Sequence, residues 1–307
     1  MPKVIQDVGE KPLVLHSDVR GPVAELSFLQ RSLLFAELAM ISYNDEAEAK
    51  RAAEAIGFPD ASLFDDDGAQ AFRFRNRFDC VIACRGTEPH EWEDIEADVN
   101  VGRVLAETVG KVHRGFKGEV DHLWPMLEEV LSSNTLPLWF CGHSLGAAMA
   151  TICAGRCLLS HISSNPAGLY AYGSPRVGDH AYVNYVKFPY YRFVNNNDIV
   201  TRLPPAWLGY RHSGQEVYFD RGNRLRQLTG WQRSLDRLLG MVRGLGRGKI
   251  DALSDHQAHA YVDCILAELS AEAKLIARGG NEVEGQDVAL PAPAPLEGQP
   301  PEEQTAG

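Results

Sequence analysis

Gly142-His143-Ser144-Leu145-Gly146 constrains this chain more than any other five residues. The residues before it, Pro137-Leu138-Trp139-Phe140-Cys141, are short and apolar and read as a buried strand. Those after it, from Ala147 to Ala154, are small and apolar and read as a helix. A strand that turns at once into a helix strains the backbone of the central residue, and glycines on both sides make room for the turn. Such a turn lifts the Ser144 hydroxyl clear of a sheet's C-terminal edge and aims a helix N-terminus at the same place. Gly-x-Ser-x-Gly in this setting is the pattern of an activated serine nucleophile. The plain alternative is a glycine-rich turn with an incidental serine, which would need no partner groups elsewhere in the chain.

The 307 residues, 45% of them hydrophobic, suit one large α/β domain with appendages better than two full domains. A net charge of −11 argues against nucleic acid as a partner. No apolar run reaches the length of a membrane span, and Met1-Pro2-Lys3-Val4-Ile5-Gln6-Asp7 lacks the basic start and apolar core of a signal peptide. The expectation is therefore a cytoplasmic protein. Cys80, Cys84, Cys141, Cys153, Cys157 and Cys264 fall on apolar strands and helices, so they are expected as small buried hydrophobes rather than disulfides. No metal-ligand spacing is formed: Asp65-Asp66-Asp67-Gly68 lacks the glutamate that closes a calcium loop and reads as a solvated turn.

Along the chain, residues 1–24 read as irregular. Helices are expected over 27–43, with Ser27 as N-cap, and over 46–56, ending at Gly57-Phe58-Pro59. Residues 71–78 alternate like an edge strand, and 79–84 run continuously apolar like a buried one. A helix over 118–132 feeds the elbow strand. Beyond the elbow come a strand over 168–173, a helix over 179–186 and a strand over 191–194. Strands alternating with helices predict a mostly parallel central sheet covered by helices on both faces. From 277 to 307 the chain turns acidic and rich in proline, with almost no aromatics, and is expected to be a disordered tail with no catalytic role. The folded unit is then 1–276.

A serine nucleophile needs a base, an orienting acid and an oxyanion hole. After an elbow of this kind the acid and then the histidine follow in chain order, each on a loop after a strand. Asp198 stands just past the strand over 191–194, in Asn195-Asn196-Asn197-Asp198, although spacing alone leaves an ordinary turn equally open. Three histidines lie downstream. His256 precedes the apolar run Tyr261-Val262-Asp263-Cys264-Ile265-Leu266, so a loop there can reach back over the sheet edge to Ser144. His259 reads as already within that last helix, and His212 as structural beside Tyr210 and Tyr218. Oxyanion donors are expected from the Leu145 amide and from Thr87, whose neighbour Gly86 allows close backbone approach. The alternative for Arg85-Gly86-Thr87 is a simple glycine turn.

Five blocks in order resemble the fungal-type, or class 3, lipases of the α/β-hydrolase superfamily. They are Cys80-Val81-Ile82-Ala83-Cys84-Arg85-Gly86-Thr87, Val112-His113-Arg114-Gly115-Phe116, the elbow itself, Tyr172-Gly173-Ser174-Pro175-Arg176-Val177-Gly178-Asp179, and Asn197-Asp198-Ile199-Val200-Thr201-Arg202-Leu203-Pro204-Pro205. A sixth, Gly209-Tyr210-Arg211-His212-Ser213-Gly214, follows. The resemblance implies an α/β-hydrolase fold with a helical lid and a serine carboxylic-ester hydrolase acting on acylglycerols or related lipid esters. It implies Ser144 as nucleophile, Asp198 as acid, a late histidine as base, and Thr87 and Leu145 as oxyanion donors. The order Asp255-His256 followed by Tyr261-Val262 is similar to bacterial members, which favours His256 as the base. His113 and His212 are implied to be structural, and no metal or organic cofactor is implied. Cys84 replaces a usual aromatic and Ala147 a usual glycine; both changes are small ones on buried elements.

The implied lid falls at about 89–100, where Trp92, Ile95 and Val99 share one helical face and could close over an acyl groove. The other face is acidic, which would repel fatty-acid product, or is simply solvated. Between Arg221 and Lys249 lie seven arginines and one lysine against a single acid, with leucines at helical spacing. That basic amphipathic segment suits peripheral contact with a lipid interface, or equally packing on the domain or on a second subunit. Two other readings stay open. One is a lipase-fold binding or regulatory protein without turnover; the other is a peptidase, phospholipase or thioesterase on the same fold.

Overall fold

The elbow strand runs through the middle of an eight-stranded sheet in a computed structural model of the protein, which describes residues 2–5, 13–86, 102–160, 162, 164–226 and 255–277. In chain order the described elements are β1 (Lys3–Ile5), β2 (Leu13–Leu15), α1 (Phe28–Ile41), α2 (Glu46–Ile56), β3 (Asp60–Asp66), β4 (Ala69–Arg75) and β5 (Cys80–Cys84). Next come β6 (Arg103–Leu105), β7 (Lys111–His113), α3 (Arg114–Ser132), β8 (Leu138–His143), α4 (Leu145–Leu159), β9 (Pro166–Tyr172) and α5 (His180–Tyr185). The series ends with β10 (Tyr190–Asn195), β11 (Gln215–Phe219), β12 (Leu225–Arg226) and α6 (Ala258–Ala277). The main sheet has the order β12-β11-β10-β9-β8-β5-β4-β3. Its middle, β5-β8-β9-β10-β11, is parallel, and antiparallel strands finish each side.

Both faces of that sheet are covered, which is why β5 and β8 are buried at every position. The pleat sends alternate side chains into two separate cores. Cys80, Ile82, Cys84, Leu138 and Phe140 join α3 and α4 on one face. Val81, Ala83, Trp139 and Cys141 join α1, α2 and α6 on the other. Ser27 and Gln30 open α1 with a reciprocal capping box, while Gly57, at φ 108°, closes α2 in the left-handed conformation. On α3 the buried positions Phe116, Val120, Leu123, Leu127 and Leu131 recur on one face of the helix.

Several expected elements differ from those observed. Strand β4 is not an edge, because β3 pairs with it along its whole length and takes the outer place. Of the acidic run 65–68, Asp65 and Asp66 end β3, and only Asp67 (φ 50°) and Gly68 (φ 85°) make the turn. Residues 3–5 and 13–15 pair as a small antiparallel ribbon in a stretch expected to be irregular. Helix α3 starts at Arg114 rather than 118, capped by the His113 side chain. The last helix begins at Ala258 and runs to Ala277, the first residue assigned to the tail; 278–307 lie outside the described residues. All six cysteines are free and buried.

Candidate active site

Ser144 stands between β8 and α4 with φ 61° and ψ −128°, a backbone region that side chains other than glycine rarely enter. Its amide donates to the Tyr172 carbonyl at 2.9 Å, fastening the turn to β9. The flanking glycines have no room for a side chain. A Cβ on Gly142 would lie 2.4 Å from the Gly146 carbonyl oxygen, and one on Gly146 would lie 2.2 Å from that of Cys84. The strand, turn and helix are thus pressed together at the position read from the sequence.

Two loops at the same sheet edge complete the arrangement. The His256 ring meets Ser144 and Asp198 together: Nε2 is 2.7 Å from the Ser144 hydroxyl, and Nδ1 is 2.9 Å from Asp198 Oδ2. A carboxylate oxygen can only accept, so Nδ1 carries the proton and Nε2 is left to accept from the serine. Asp198 Oδ1 accepts from the Val200 amide at 2.9 Å, and Oδ2 also accepts from the Tyr261 hydroxyl. Burial, then the Asp198 carboxyl beside it, pushes the Tyr261 phenol well above its ordinary range and keeps it a donor. All four side chains are at most 3% exposed.

The loop that carries Asp198 also grips the segment that carries His256. Asn195 Nδ2 donates to the Asp255 carbonyl at 3.0 Å, while Asn196 Nδ2 and the Asn197 amide each donate to the Asp255 carboxylate at 3.2 Å. Gly173, at φ 60°, backs the pair: a Cβ there would lie 2.9 Å from both Asp198 Oδ2 and His256 Nδ1. Tyr261, Gly173, Asp255 and the asparagine side chains were not among the expected site residues. The run Asn195-Asn196-Asn197 carried a signal of its own, but it read as turn chemistry.

Of the other histidines, His212 donates from Nε2 to the Thr201 carbonyl at 2.8 Å, and His259 lies in the first turn of α6. His113 caps α3 and stacks on Phe116 with ring centroids 4.1 Å apart; burial lowers its pKa to about 4. Leu145 is the first residue of α4, so its amide is among those a helix leaves without an intrahelical partner. Gly86 crosses directly over the elbow, where a Cβ would lie 2.7 Å from the His143 carbonyl oxygen. Its neighbour Thr87 lies outside the described residues, as does the expected lid at 89–100 with Trp92, Ile95 and Val99. Of the basic stretch from Arg221 to Lys249, residues 221–226 are described: Leu225 and Arg226 form β12, and Arg226 pairs with Asp220 at 3.0 Å. The remainder, 227–249, lies outside the described residues. Among the described residues no cluster of His, Cys, Asp and Glu could hold a metal ion, and no helix is long and apolar enough to cross a membrane.

Comparison with known proteins gives a consistent relationship. The family model described as lipase (class 3) matches residues 81–207. A lipase of Rhizomucor miehei is 41% identical over 118 residues, covering 35% of this chain and 32% of that protein, so the match spans about a third of that relative's length. The secreted mono- and diacylglycerol lipase A of Penicillium cyclopium is 31% identical over 224 residues, covering 70% of this chain and 72% of the relative. The solved triacylglyceride lipase of Rhizomucor miehei superposes with a TM-score of 0.53 at 25% identity, covering 63% of this chain and 81% of that one.

Proposed function

Because this chain belongs to the class 3 lipase family, we propose that it is a serine ester hydrolase acting on acylglycerols or related lipid esters. The carrying observation is the unbroken line from the Ser144 hydroxyl through His256 to Asp198, at 2.7 and 2.9 Å, on a strained strand-to-helix turn. Membership in a family whose relatives are lipases supplies the substrate class.

In the proposed reaction His256 Nε2 takes the Ser144 proton as Oγ attacks the ester carbonyl. Asp198 holds the Nδ1–H tautomer and stabilises the imidazolium that forms. The Leu145 amide, with Thr87 as its proposed partner, receives the developing oxyanion, each donor being worth about 10²–10³ in rate. His256 returns the proton to the departing alcohol, leaving Ser144 acylated, and then activates a water that releases the fatty acid. The proposed hydrolase unit is 1–276, with the segment over 89–100 as its lid and the basic stretch from Arg221 to Lys249 available to a lipid interface.

A fluorophosphonate probe tests the chemistry without knowledge of the acyl chain. It should label Ser144 alone, and His256→Ala should suppress labelling while the protein stays folded. Absence of labelling on folded wild-type protein would favour the binding-protein reading instead.

A further inference from the structure

His143 and Tyr43 lie behind His256 and have no part in the proposed proton transfers. His143 ends β8 and is only 4% exposed, beside the nucleophile rather than in the triad. Its Nε2 is 2.5 Å from the main-chain carbonyl oxygen of His256, 113 residues away in sequence. A carbonyl only accepts, so Nε2 carries the proton. Its Nδ1 is 3.0 Å from the Tyr43 hydroxyl, which must therefore donate. Both ring nitrogens are accounted for, and only one tautomer satisfies both. Burial, then the nearby His256, holds the His143 pKa well below the ordinary range, so the ring is neutral.

The same hydroxyl reaches the approach to the oxyanion loop. A Cβ on Gly86 would lie 2.4 Å from Tyr43 Oη and 2.7 Å from the His143 carbonyl oxygen. Tyr43 thus stands where the end of β5, the elbow and the base converge. His256 itself sits on a turn two residues before α6, outside the helix. Asp198 and Ser144 meet the ring at its two nitrogens, but where that ring stands depends on the backbone that carries it. An anchor on the His256 carbonyl fixes that backbone.

We propose that His143 is a positioning residue for His256: a Nε2–H imidazole, its tautomer set by Tyr43, that holds the carbonyl of the base so that Nε2 stays in line with the Ser144 hydroxyl. The inference rests on the hydrolase reading above. Small displacements of a catalytic group are costly, on the order of 10² in rate for about 1 Å. Losing the anchor should therefore act on turnover and leave substrate binding alone.

The test is steady-state hydrolysis of a soluble short-chain p-nitrophenyl ester by the full chain. His143→Leu should lower kcat about ten- to a hundredfold with KM nearly unchanged, and His143→Gln, whose amide N–H can reach the same carbonyl, should recover most of that loss. In a His256→Ala background, adding His143→Leu should cost nothing further, since the anchor would have no base to hold. Nitrogen-detected NMR of wild-type protein should show His143 protonated at Nε2 alone from about pH 5 to 8. Unchanged kcat in folded His143→Leu, an undiminished loss in the His256→Ala background, or a Nδ1–H tautomer would overturn the inference. If His143→Leu does not fold, Tyr43→Phe decides: it should lower kcat severalfold at constant KM, and unchanged kcat would count against the anchor. Wild-type protein without turnover would instead sink the hydrolase reading, leaving the tautomer as a separate measurement.

Discussion

A serine hydroxyl is a weak nucleophile until a base stands ready for its proton, and the base works only if its ring is held in one tautomer. In this chain three donors converge on the Asp198 carboxylate: His256 Nδ1, the Val200 amide and the Tyr261 hydroxyl. Removing one leaves a buried carboxylate short of a partner. Tyr261→Phe should therefore lower kcat about tenfold, since a hydrogen bond to a charged group is worth about 1.5–3 kcal/mol, with KM little changed. Activity within twofold of wild type, in a protein of unchanged melting temperature, would show that Asp198 does not depend on that hydroxyl. The pentapeptide around Ser144 and the aspartate after the strand were legible because each is a local pattern. The contacts of Tyr261 and His143 were not, because they join residues 63 and 113 positions apart and leave no periodic trace.

At the scale of elements, the buried parallel strands announced themselves as apolar runs, and α1 as a helical repeat behind a serine cap. Ser27 and Gln30 close that cap reciprocally at 3.3 and 2.9 Å, on the outside of the molecule. Ser27→Ala should cost about 1 kcal/mol, or about 2 °C in Tm for a domain of this size, and leave ester turnover unaltered. A change in kcat would mean that α1 communicates with the site through more than Tyr43. Strand β3 escaped notice for a physical reason. It is the outer strand of the sheet, half exposed and carrying Asp60, Asp65 and Asp66, so its composition reads as turn rather than sheet. The small ribbon of β1 and β2 escaped because three-residue strands show too little alternation to detect.

Over the whole molecule, burial of titratable groups sets a pH window for stability. The fold holds His113 at about 4 and His143 well below its ordinary value, so the unfolded chain binds more protons as pH falls below about 6.5. Stability should fall across that acid interval. Burial raises Tyr170 to about 12 and lifts Tyr261 well above its ordinary range, so the unfolded chain loses protons first above about pH 10, and stability should fall again there. Thermal melting against pH checks both limbs, and His113→Asn, which retains a capping side chain, should flatten the acid one. An acid limb of unchanged slope in that variant would show that His113 does not set it. Elbow, base and acid are proposed to act together on a lipid ester, and the decisive measurement is fatty-acid release from an emulsified acylglycerol by wild-type and Ser144→Ala protein of matched fold. Release by wild type, with a loss on the order of 10⁴–10⁶ in the variant, is the expected result; equal release by both, or none by folded wild type on any acyl ester, would contradict it.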